Sequence, residues 1–261
     1  MKIVVIVKEV PDTEAQIMLK DGVPDVSGAK MVINPYDEYA VEEAVRIKEA
    51  NEGSTITAVM VGPESARKNL VNVLALGVDD GVLVTDDALA GSDGLQIAMV
   101  LKAVIEPLSP DVIFGGKQGV DHDWGLAGIA LAEQLGIAHV GILTKLELGD
   151  GKFTATSDGD DGTLITEGAL PAVFTAEKAL NEPRYASLKG IMQAKKKPLE
   201  VKTLADLGLD PGVVGSGAAR MKISDCEYPP KKSAGRIIEG ETVQEKVAGL
   251  VKALREEAKV I

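Results

Sequence analysis

Short apolar runs alternate with segments of helical periodicity through the first half of the chain, and this alternation limits the possible folds more than any other feature. Ile3 to Val7 and Thr55 to Val61 are rich in β-branched residues, and continuous apolar runs of this length are typical of strands buried on both faces. Between them a predicted helix begins at Asn34-Pro35, because Asn is a good N-cap and Pro is tolerated at the first helical position. Asp93 with Gln96 three residues later resembles a helix-start cap and predicts a further helix there. The alternation predicts a parallel sheet with helices on both faces.

From Gly141 the pattern changes to shorter runs that are typical of antiparallel strands. Leu143 to Leu148 and Phe153 to Thr156 flank a turn at Gly149-Asp150-Gly151, which predicts a hairpin. From residue 190 onward the chain is rich in turn residues, and it ends in an amphipathic helix from about Val243 to Leu254. We therefore predict an α/β domain over residues 1–189 and a C-terminal arm over residues 190–261 that packs on another surface.

Composition excludes several classes of partner. The formal net charge of −12 disfavours nucleic acid and anionic membranes. The opening MKIVVIVKEV is too short an apolar run for a signal peptide, and no run reaches the roughly 18 apolar residues of a membrane span, so no membrane insertion is expected. The single Cys226 cannot form an internal disulfide, which fits a reducing compartment and predicts a cytoplasmic protein.

In doubly wound sheets, ligands bind beyond the carboxyl ends of the strands. The predicted ends are Val7-Lys8, Val61-Gly62 and Gly115-Gly116. The last of these opens the loop GGKQGVDHDWGLAG, Gly115 to Gly128, which runs into a helix predicted from about Trp124 to Leu135. Glycines let backbone N–H groups approach an anion, and a helix N-terminus attracts it, so the loop suits a phosphate. An ordinary turn capped by Asp121 and Asp123 is an equally open interpretation.

No pairing of a nucleophile with a base is recognisable, so no catalytic residue is predicted. Asp121-His122-Asp123 is interpreted as capping and solvation rather than as a metal site, because the ligands are too few. Asp158-Gly-Asp-Asp-Gly lacks the remaining ligands of a calcium loop and is interpreted as a hairpin tip. The function is therefore expected to lie in holding a cofactor and a partner.

The segment Leu180 to Leu199, LNEPRYASLKGIMQAKKKPL, is distinctive without carrying chemistry of its own. It combines a turn, an apolar Leu188 in polar surroundings and the basic run Lys195-Lys196-Lys197. A basic run is by default a solvated face. The whole segment nevertheless suggests a docking surface.

Six blocks of the sequence then show a resemblance to a known family. They are VIVKEVPDT (Val5 to Thr13), NPYDEYAVEEAVRIKE (Asn34 to Glu49), AVMVGP (Ala58 to Pro63), GGKQGVDHD (Gly115 to Asp123), LPAVFTAEKALNEPRYASLKGIMQAKKKPLEV (Leu170 to Val201), and the turn Pro229-Pro230 with Gly235 beyond it. In this order and spacing they resemble the β subunits of electron transfer flavoproteins over nearly the full length of the chain. The long fifth block is the most specific.

The resemblance implies a Rossmann-like sheet of the adenine-nucleotide-binding, HUP-like type, with an added antiparallel hairpin and an extended C-terminal arm wrapped around an α subunit. It implies an electron carrier rather than a stand-alone enzyme, with FAD held mainly by the α subunit. Electrons would pass from acyl-CoA or related dehydrogenases to a downstream quinone oxidoreductase. The β subunit would hold a second adenine nucleotide, which is AMP in ordinary members.

Three alternatives stay open beside this interpretation. In an electron-bifurcating member the β subunit would hold its own FAD and couple NADH, a dehydrogenase and ferredoxin. A stress-type nucleotide-binding homodimer is a remoter alternative, which the long arm disfavours. A nucleotide-hydrolysing or adenylating enzyme is disfavoured because Lys8-Glu9-Val10-Pro11 does not resemble a Ser-Gly-Gly phosphate loop.

The resemblance also assigns residues to two sites. The nucleotide pocket falls on Ile6, Asn34, Pro35, Tyr36, Asp37, Val61, Gly119, Val120, Asp121, His122, Asp123, Trp124, Gly125, Leu126, Ala127, Gly128, Ile129 and Ala130. The recognition loop for dehydrogenases falls on Tyr185, Ala186, Ser187, Leu188, Lys189, Gly190, Ile191, Met192, Gln193 and Ala194, with Leu188 as the anchor.

The chain departs from the family pattern in the glycine loop. Ordinary members carry Asn, Gln and Thr after the acidic pair, where this chain has Trp124 to Ala127. Bifurcating members usually have Gly-Asp-Thr, which His122-Asp123-Trp124 fits only in part. Ser157 stands at the position of a frequent family Arg, and Gln193 replaces a frequent Lys. Backbone N–H groups are therefore expected to hold the phosphate, and the choice between AMP and FAD stays open.

Overall fold

The computed structural model describes residues 1–231 and 234–261. The strands are β1 Lys2–Val7, β2 Glu9–Pro11, β3 Met18–Lys20, β4 Val23–Asp25, β5 Met31–Ile33, β6 Thr55–Val61, β7 Asp80–Val84, β8 Val112–Gly116, β9 Ala138–Gly149, β10 Lys152–Gly159, β11 Gly162–Ala169, β12 Ala172–Ala176 and β13 Leu199–Lys202. The helices are α1 Pro35–Ala50, α2 Arg67–Leu74, α3 Gly94–Ile105, α4 Ala127–Leu135, α5 Leu188–Ala194 and α6 Val243–Lys252, the last continued by a π-helical turn over Ala253–Ala258.

The described residues form a nine-stranded sheet in the order β11-β10-β9-β12-β8-β1-β6-β7-β13. In this order, every pair of neighbours from β9 through β12, β8, β1, β6 and β7 to β13 is parallel. The strand β10 pairs antiparallel with both β9 and β11. Two short ribbons, β2 with β5 and β3 with β4, lie outside this sheet. The predicted Rossmann-like α/β class and the predicted hairpin are both confirmed.

The central strand β1 is buried on both faces, as its continuous apolar sequence predicted. Ile3 and Val5 belong to the core that contains Ala40 of α1 and Leu70 of α2. Val4 belongs to the opposite core, which contains Leu131 of α4. Because successive side chains of a strand point to opposite faces, a fully apolar run such as this one stabilises both layers.

Several element starts agree with the sequence, and one does not. β6 has the predicted bounds, and Asp93 with Gln96 forms the predicted capping box of α3. The helix predicted from Trp124 begins at Ala127 instead. Asp123 and Gly125 have left-handed backbone conformations, with φ of 53° and 58°, and no helix can run through them. The loop before α4 is therefore longer than the sequence suggested.

Two strands of the sheet were not predicted. β11 pairs with β10 across a tip at Asp160-Asp161, which confirms the hairpin-tip interpretation of this region. β13 pairs in parallel with β7 at the far edge, although it lies beyond residue 190. The chain separates into the compact units Met1–Asp225 and Cys226–Ile261. The predicted arm boundary at 189/190 concerns packing on a partner and stays a prediction.

The unit Cys226–Ile261 contains α6, which begins with a capping box formed by Thr242 and Glu245. Val243, Val247 and Leu250 recur at helical spacing along it and are 74%, 54% and 46% exposed. An apolar stripe on a helix is ordinarily buried against a neighbour. Among the described residues, no helix combines the length and the hydropathy that crossing a bilayer requires.

Candidate functional site

A cavity of about 820 Å³ lies at the carboxyl ends of the central strands. The strand order changes direction there, because the strands that follow β1 in the sheet, β6 and β7, extend to one side of it, whereas β8 and β12 lie on the other side. This is the switch point at which doubly wound sheets bind ligands. The predicted site residues that line the cavity are Ile6, Asn34, Asp37, Val61, Gly119, Asp121, His122, Trp124, Gly125, Leu126, Ala127 and Gly128. The other predicted residues, Pro35, Tyr36, Val120, Asp123, Ile129 and Ala130, are next to these in sequence but do not line it.

The buried carboxylate of Asp37 holds three elements together at the floor of the cavity. It accepts hydrogen bonds from the N–H of Lys8 at 2.7 Å and from the N–H of Gly116 at 2.9 Å, which follow or end β1 and β8. It also accepts one from the Asn34 amide at 2.9 Å. Burial raises the pKa of Asp37 to about 7, although these hydrogen bonds act in the opposite direction. Both of its carboxylate oxygens therefore accept hydrogen bonds from the protein itself.

Asn34 stands at the N-cap of α1, as predicted, but its side chain does not cap the helix. The Asn34 Oδ1 atom accepts a hydrogen bond from the N–H of Val120 at 3.2 Å, and Nδ2 donates to the Gln118 carbonyl at 2.9 Å. This amide therefore ties the glycine loop to the start of α1. Such a long-range role leaves no local signal in the sequence.

Crowding explains one glycine at this end of the sheet. A Cβ atom on Gly116 would lie 2.4 Å from Asp37 Oδ1 and 2.6 Å from Tyr36 Cβ. No side chain fits at that distance, so Gly116 allows the close approach of β8 to α1 on which the Asp37 bridge depends.

Lys8, Asp121 and His122 form a row of contacting polar side chains in the cavity lining. Lys8 Nζ contacts both carboxylate oxygens of Asp121, at 2.8 Å and 2.6 Å, and His122 Nδ1 lies 2.9 Å from Asp121 Oδ2. The ring centroids of His122 and Trp124 are 4.9 Å apart. Burial alone would raise the pKa of Asp121, but hydrogen bonds from His122 and Lys8 and the charge of Lys8 hold that pKa well below its usual range. The Asp121 carboxylate is therefore ionised and bound to Lys8.

The start of α4 is the part of the cavity that best suits an anion. Its N-cap residue, Leu126, offers no side-chain acceptor, and Ala127 and Gly128 line the cavity. The first N–H groups of a helix have no partner within the helix and carry partial positive charge. An anionic group of a ligand would accept hydrogen bonds from these N–H groups, as phosphates do at the helix N-termini of known phosphate sites.

One wall of the cavity was missed by the sequence reasoning. It consists of Gly91 to Gly94 together with Ser216, Ala219, Met221, Lys222 and Ile223. Asp93 connects the two segments, because its Oδ1 caps α3 and its Oδ2 accepts the N–H groups of Arg220 and Met221 at 2.7 Å and 3.2 Å. The cap of α3 was predicted, but the wall was not, since nothing in the loop-like sequence of 216–223 indicates where it folds back.

The predicted recognition residues lie away from this cavity. Tyr185, Ala186 and Ser187 precede α5, and Leu188 to Ala194 form it, with Ser187 capping the helix through the N–H of Gly190 at 3.0 Å. Tyr185, Leu188 and Met192 are 97%, 84% and 71% exposed, whereas Ala194 is buried. Ile191 and Ala194 line a separate cavity of about 570 Å³ beside α2. Exposed apolar side chains grouped on one segment are typical of an interaction surface.

The fold defines a Rossmann-like α/β protein with a cavity at the switch point of its sheet. Residues 22–207 match the family model described as the electron transfer flavoprotein domain. The electron transfer flavoprotein subunit beta of Bacillus subtilis is 42% identical over 262 residues, covering 100% of both chains. The subunit of that name from Syntrophomonas wolfei is 40% identical over 92% of this chain and 91% of its own. The caffeyl-CoA reductase-Etf complex subunit CarD of Acetobacterium woodii is 34% identical over 98% of each chain.

These similarities extend over 92% to 100% of the chain. The chain belongs to the electron transfer flavoprotein family, and the resemblance found in its motifs is confirmed.

Proposed function

We propose that the chain is the β subunit of a heterodimeric electron transfer flavoprotein and that it holds an adenine nucleotide in the switch-point cavity. The observation that carries the proposal is the uncapped start of α4 in the wall of an 820 Å³ cavity, formed by the residues that the family resemblance assigns to a nucleotide. A cavity of this size lies within the range typical of small-ligand sites. The FAD that carries the electrons is held mainly by the α subunit in this proposal.

The residues of the cavity divide the work of holding the nucleotide. The N–H groups at Ala127 and Gly128 would meet the phosphate, and the apolar wall at Ile6 and Val61 would meet the base. Asp37 and Asn34 are engaged with the protein itself and would act by fixing the loops. This division agrees with the expectation that backbone N–H groups, rather than polar side chains, hold the phosphate.

We assign the contact with acyl-CoA or related dehydrogenases to Tyr185 to Ala194, with Leu188 as the anchor. The exposure of Leu188, at 84%, supports this role, because an isolated apolar side chain can enter a pocket on a partner and dominate a small interface. A downstream quinone oxidoreductase would then receive the electrons from the flavoprotein. The exposed apolar stripe of α6 supports packing of the C-terminal arm on the α subunit.

A bifurcating β subunit with its own FAD is the second candidate. It is favoured by the additional cavity wall at Gly91 to Gly94 and Ser216 to Ile223, which extends the cavity beyond the residues assigned to the nucleotide. Such an extension offers contacts to a ligand larger than a mononucleotide.

Nucleotide analysis tests both candidates. The chain is co-expressed with the α subunit from the same genome, and the purified complex is denatured to release its nucleotides. One FAD and one AMP per heterodimer is the expected result, whereas two FAD without AMP would favour the bifurcating candidate. A complex without flavin, or a β chain that forms no complex, would contradict the proposed function.

A further inference from the structure

The segment before α5 is fixed to α1 by a forked arginine. The Arg184 side chain donates to Glu42 through Nε at 2.7 Å and Nη2 at 3.0 Å, and to Glu49 through Nη1 at 2.6 Å and Nη2 at 3.0 Å. The Arg184 N–H also donates to Glu42, at 3.2 Å. One side chain thus joins two carboxylates of α1 that lie two helical turns apart in sequence.

A second contact fixes the same stretch of chain a few residues earlier. Asn181 Nδ2 donates to the Tyr39 carbonyl and to Glu43 Oε2, both at 3.0 Å. The backbone around Arg184 is therefore held on α1 from two successive positions.

The other end of the segment is fixed to α2. A Cβ atom on Gly190 would lie 2.3 Å from the Ala75 carbonyl oxygen, so α5 approaches the end of α2 as closely as a glycine allows. Lys197 Nζ donates to the carbonyls of Leu74 at 2.9 Å and of Val78. The backbone from Arg184 to Lys197 is therefore attached to the domain at both ends.

Between these two attachments Tyr185, Leu188 and Met192 are exposed, whereas Ala194 at the end of α5 is buried. The helix α5 itself has only seven residues. A helix this short is unstable in isolation. The conformation that presents Leu188 must therefore be maintained by the attachments and not by the segment itself.

We propose that Arg184 is a positioning residue that holds Tyr185 to Ala194 in its docking conformation by bridging Glu42 and Glu49. The inference rests on the proposed docking role of this segment and adds the group that maintains it. A loop that is already ordered loses less conformational entropy when a partner binds, so a fixed Arg184 lowers the concentration of flavoprotein that the dehydrogenase needs.

The chemistry of the bridge requires arginine rather than any cation. A guanidinium presents several N–H donors in one plane and can serve two carboxylates together, whereas an ammonium is a compact point charge. Hydrogen bonds and charges from Glu49 and Glu42 hold the pKa of Arg184 above its usual value, so the bridge stays charged. The Glu42 side chain is only 8% exposed, and removal of its partner would leave it poorly compensated.

Hydrogen exchange on the purified heterodimer tests the positioning directly. In Arg184→Gln, the amides of residues 185–194 are expected to exchange about tenfold faster, with β1 and β8 unchanged. Glu49→Gln removes half of the bridge at a side chain that is 59% exposed, and it should give a smaller increase in the same peptides without threatening the fold. Arg184→Lys should restore protection only in part.

Lys145→Gln is the matched control, because it removes the cation of an ion pair on β9, which belongs to neither attachment of the segment. Lys145 is 66% exposed and contacts Glu147 at 2.7 Å. Exchange in 185–194 is expected to match the parent protein in this variant. Unchanged exchange in both Arg184→Gln and Glu49→Gln would overturn the inference.

Kinetics with a purified acyl-CoA dehydrogenase, reduced by its acyl-CoA, separates this inference from the proposed function. Arg184→Gln is expected to raise the KM for the flavoprotein about tenfold with little change in kcat, since it affects encounter and not electron transfer within the complex. Leu188→Ala is the reference for docking. If Leu188→Ala leaves KM unchanged, the docking role fails, and exchange still decides whether Arg184 positions the segment. A raised KM in Arg184→Gln without faster exchange would contradict positioning.

Discussion

At the scale of single residues, Asp37 shows how a residue assigned to ligand binding can act behind the site. Its carboxylate accepts the N–H groups of Lys8 and Gly116 and the amide of Asn34, which belong to three different parts of the cavity floor. An acceptor used in this way fixes the relative positions of β1, β8 and α1. The family motif assigned Asp37 to nucleotide binding, and Asp37 does line the cavity, but its hydrogen bonds are with the protein itself.

The variant Asp37→Asn tests this role. At pH 5, where Asp37 is protonated in the folded protein, the acid carries one O–H, whereas an amide directs two N–H donors at the donors of the site, so we expect the free energy of unfolding to fall by about 1–3 kcal/mol. Urea unfolding followed by circular dichroism measures the change. Asp160→Asn, at the exposed hairpin tip, is the matched control and should unfold like the parent. An equally stable Asp37→Asn protein would show that the bridge does not contribute.

Because the pKa of Asp37 is raised, the difference in the free energy of unfolding between the parent and Asp37→Asn depends on pH. Between about pH 4, where an unfolded Asp ionises, and about pH 7, where the folded one does, the folded protein binds more protons than the unfolded chain. Its stability therefore falls as pH rises through this window, by about 1.4 kcal/mol per unit of pKa difference. Because Asn does not titrate, the stability gap between the parent and Asp37→Asn should narrow from pH 5 to pH 8. Unfolding series at several pH values measure it, and a constant gap would contradict the assignment.

At the scale of elements, α1 contacts both the switch-point cavity and the segment that precedes α5. Its start contributes Asn34 and Asp37 to the cavity, and its later turns carry Glu42 and Glu49, which hold Arg184. The sequence predicted where this helix begins, because an Asn-Pro start is a local signal. It did not predict that the acids on its outer face bind residues more than a hundred positions away, because such contacts leave no periodicity.

The same distinction explains which elements the sequence revealed. β1 and β6 are long β-branched runs, and the α3 cap is a local motif, so all three were predicted. The strand β13, Leu199 to Lys202, is short, and it joins the sheet by pairing with the edge of β7 that β6 leaves open. The start of α4 was placed too early because Gly125, inside the predicted helix, has a left-handed conformation, and the sequence alone did not distinguish a loop glycine from a helical one.

Asp93 joins an element to the cavity wall and allows a test at this scale. Its Oδ1 atom caps α3, and its Oδ2 atom holds the N–H groups of Arg220 and Met221. In Asp93→Ala we expect a loss of about 1 kcal/mol from the cap and faster hydrogen exchange at residues 220–221. Thr242→Ala is the matched control, since it removes the cap of α6 and leaves the cavity untouched. Exchange at 220–221 that stays at the parent level in Asp93→Ala would show that the wall is held by other contacts.

At the scale of the whole molecule, the sequence identified the family, whereas its two site assignments stay predictions. The motif blocks predicted a cavity at the strand ends and a docking segment, and the structure places their residues on two separate surfaces of Met1–Asp225. One wall of the cavity is built from the loop-like stretch at 216–223. Sequence periodicity is silent on such a stretch, so only the folded chain shows that it lines the cavity.

The last prediction concerns the unit Cys226–Ile261, for which a partner subunit is proposed. Val247 and Leu250 of α6 are 54% and 46% exposed, and burying the exposed half of each side chain at an interface contributes about 1 kcal/mol. An aspartate at either position would instead bury a charge there. Val247→Asp with Leu250→Asp should therefore abolish co-purification of the β chain with the α subunit, while the circular dichroism of the isolated chain stays unchanged. Gln244→Asp places a charge on the same helix without removing an apolar side chain, and it should leave the heterodimer intact in size-exclusion chromatography. An intact heterodimer in the double variant would assign the contact with the α subunit to a surface other than α6.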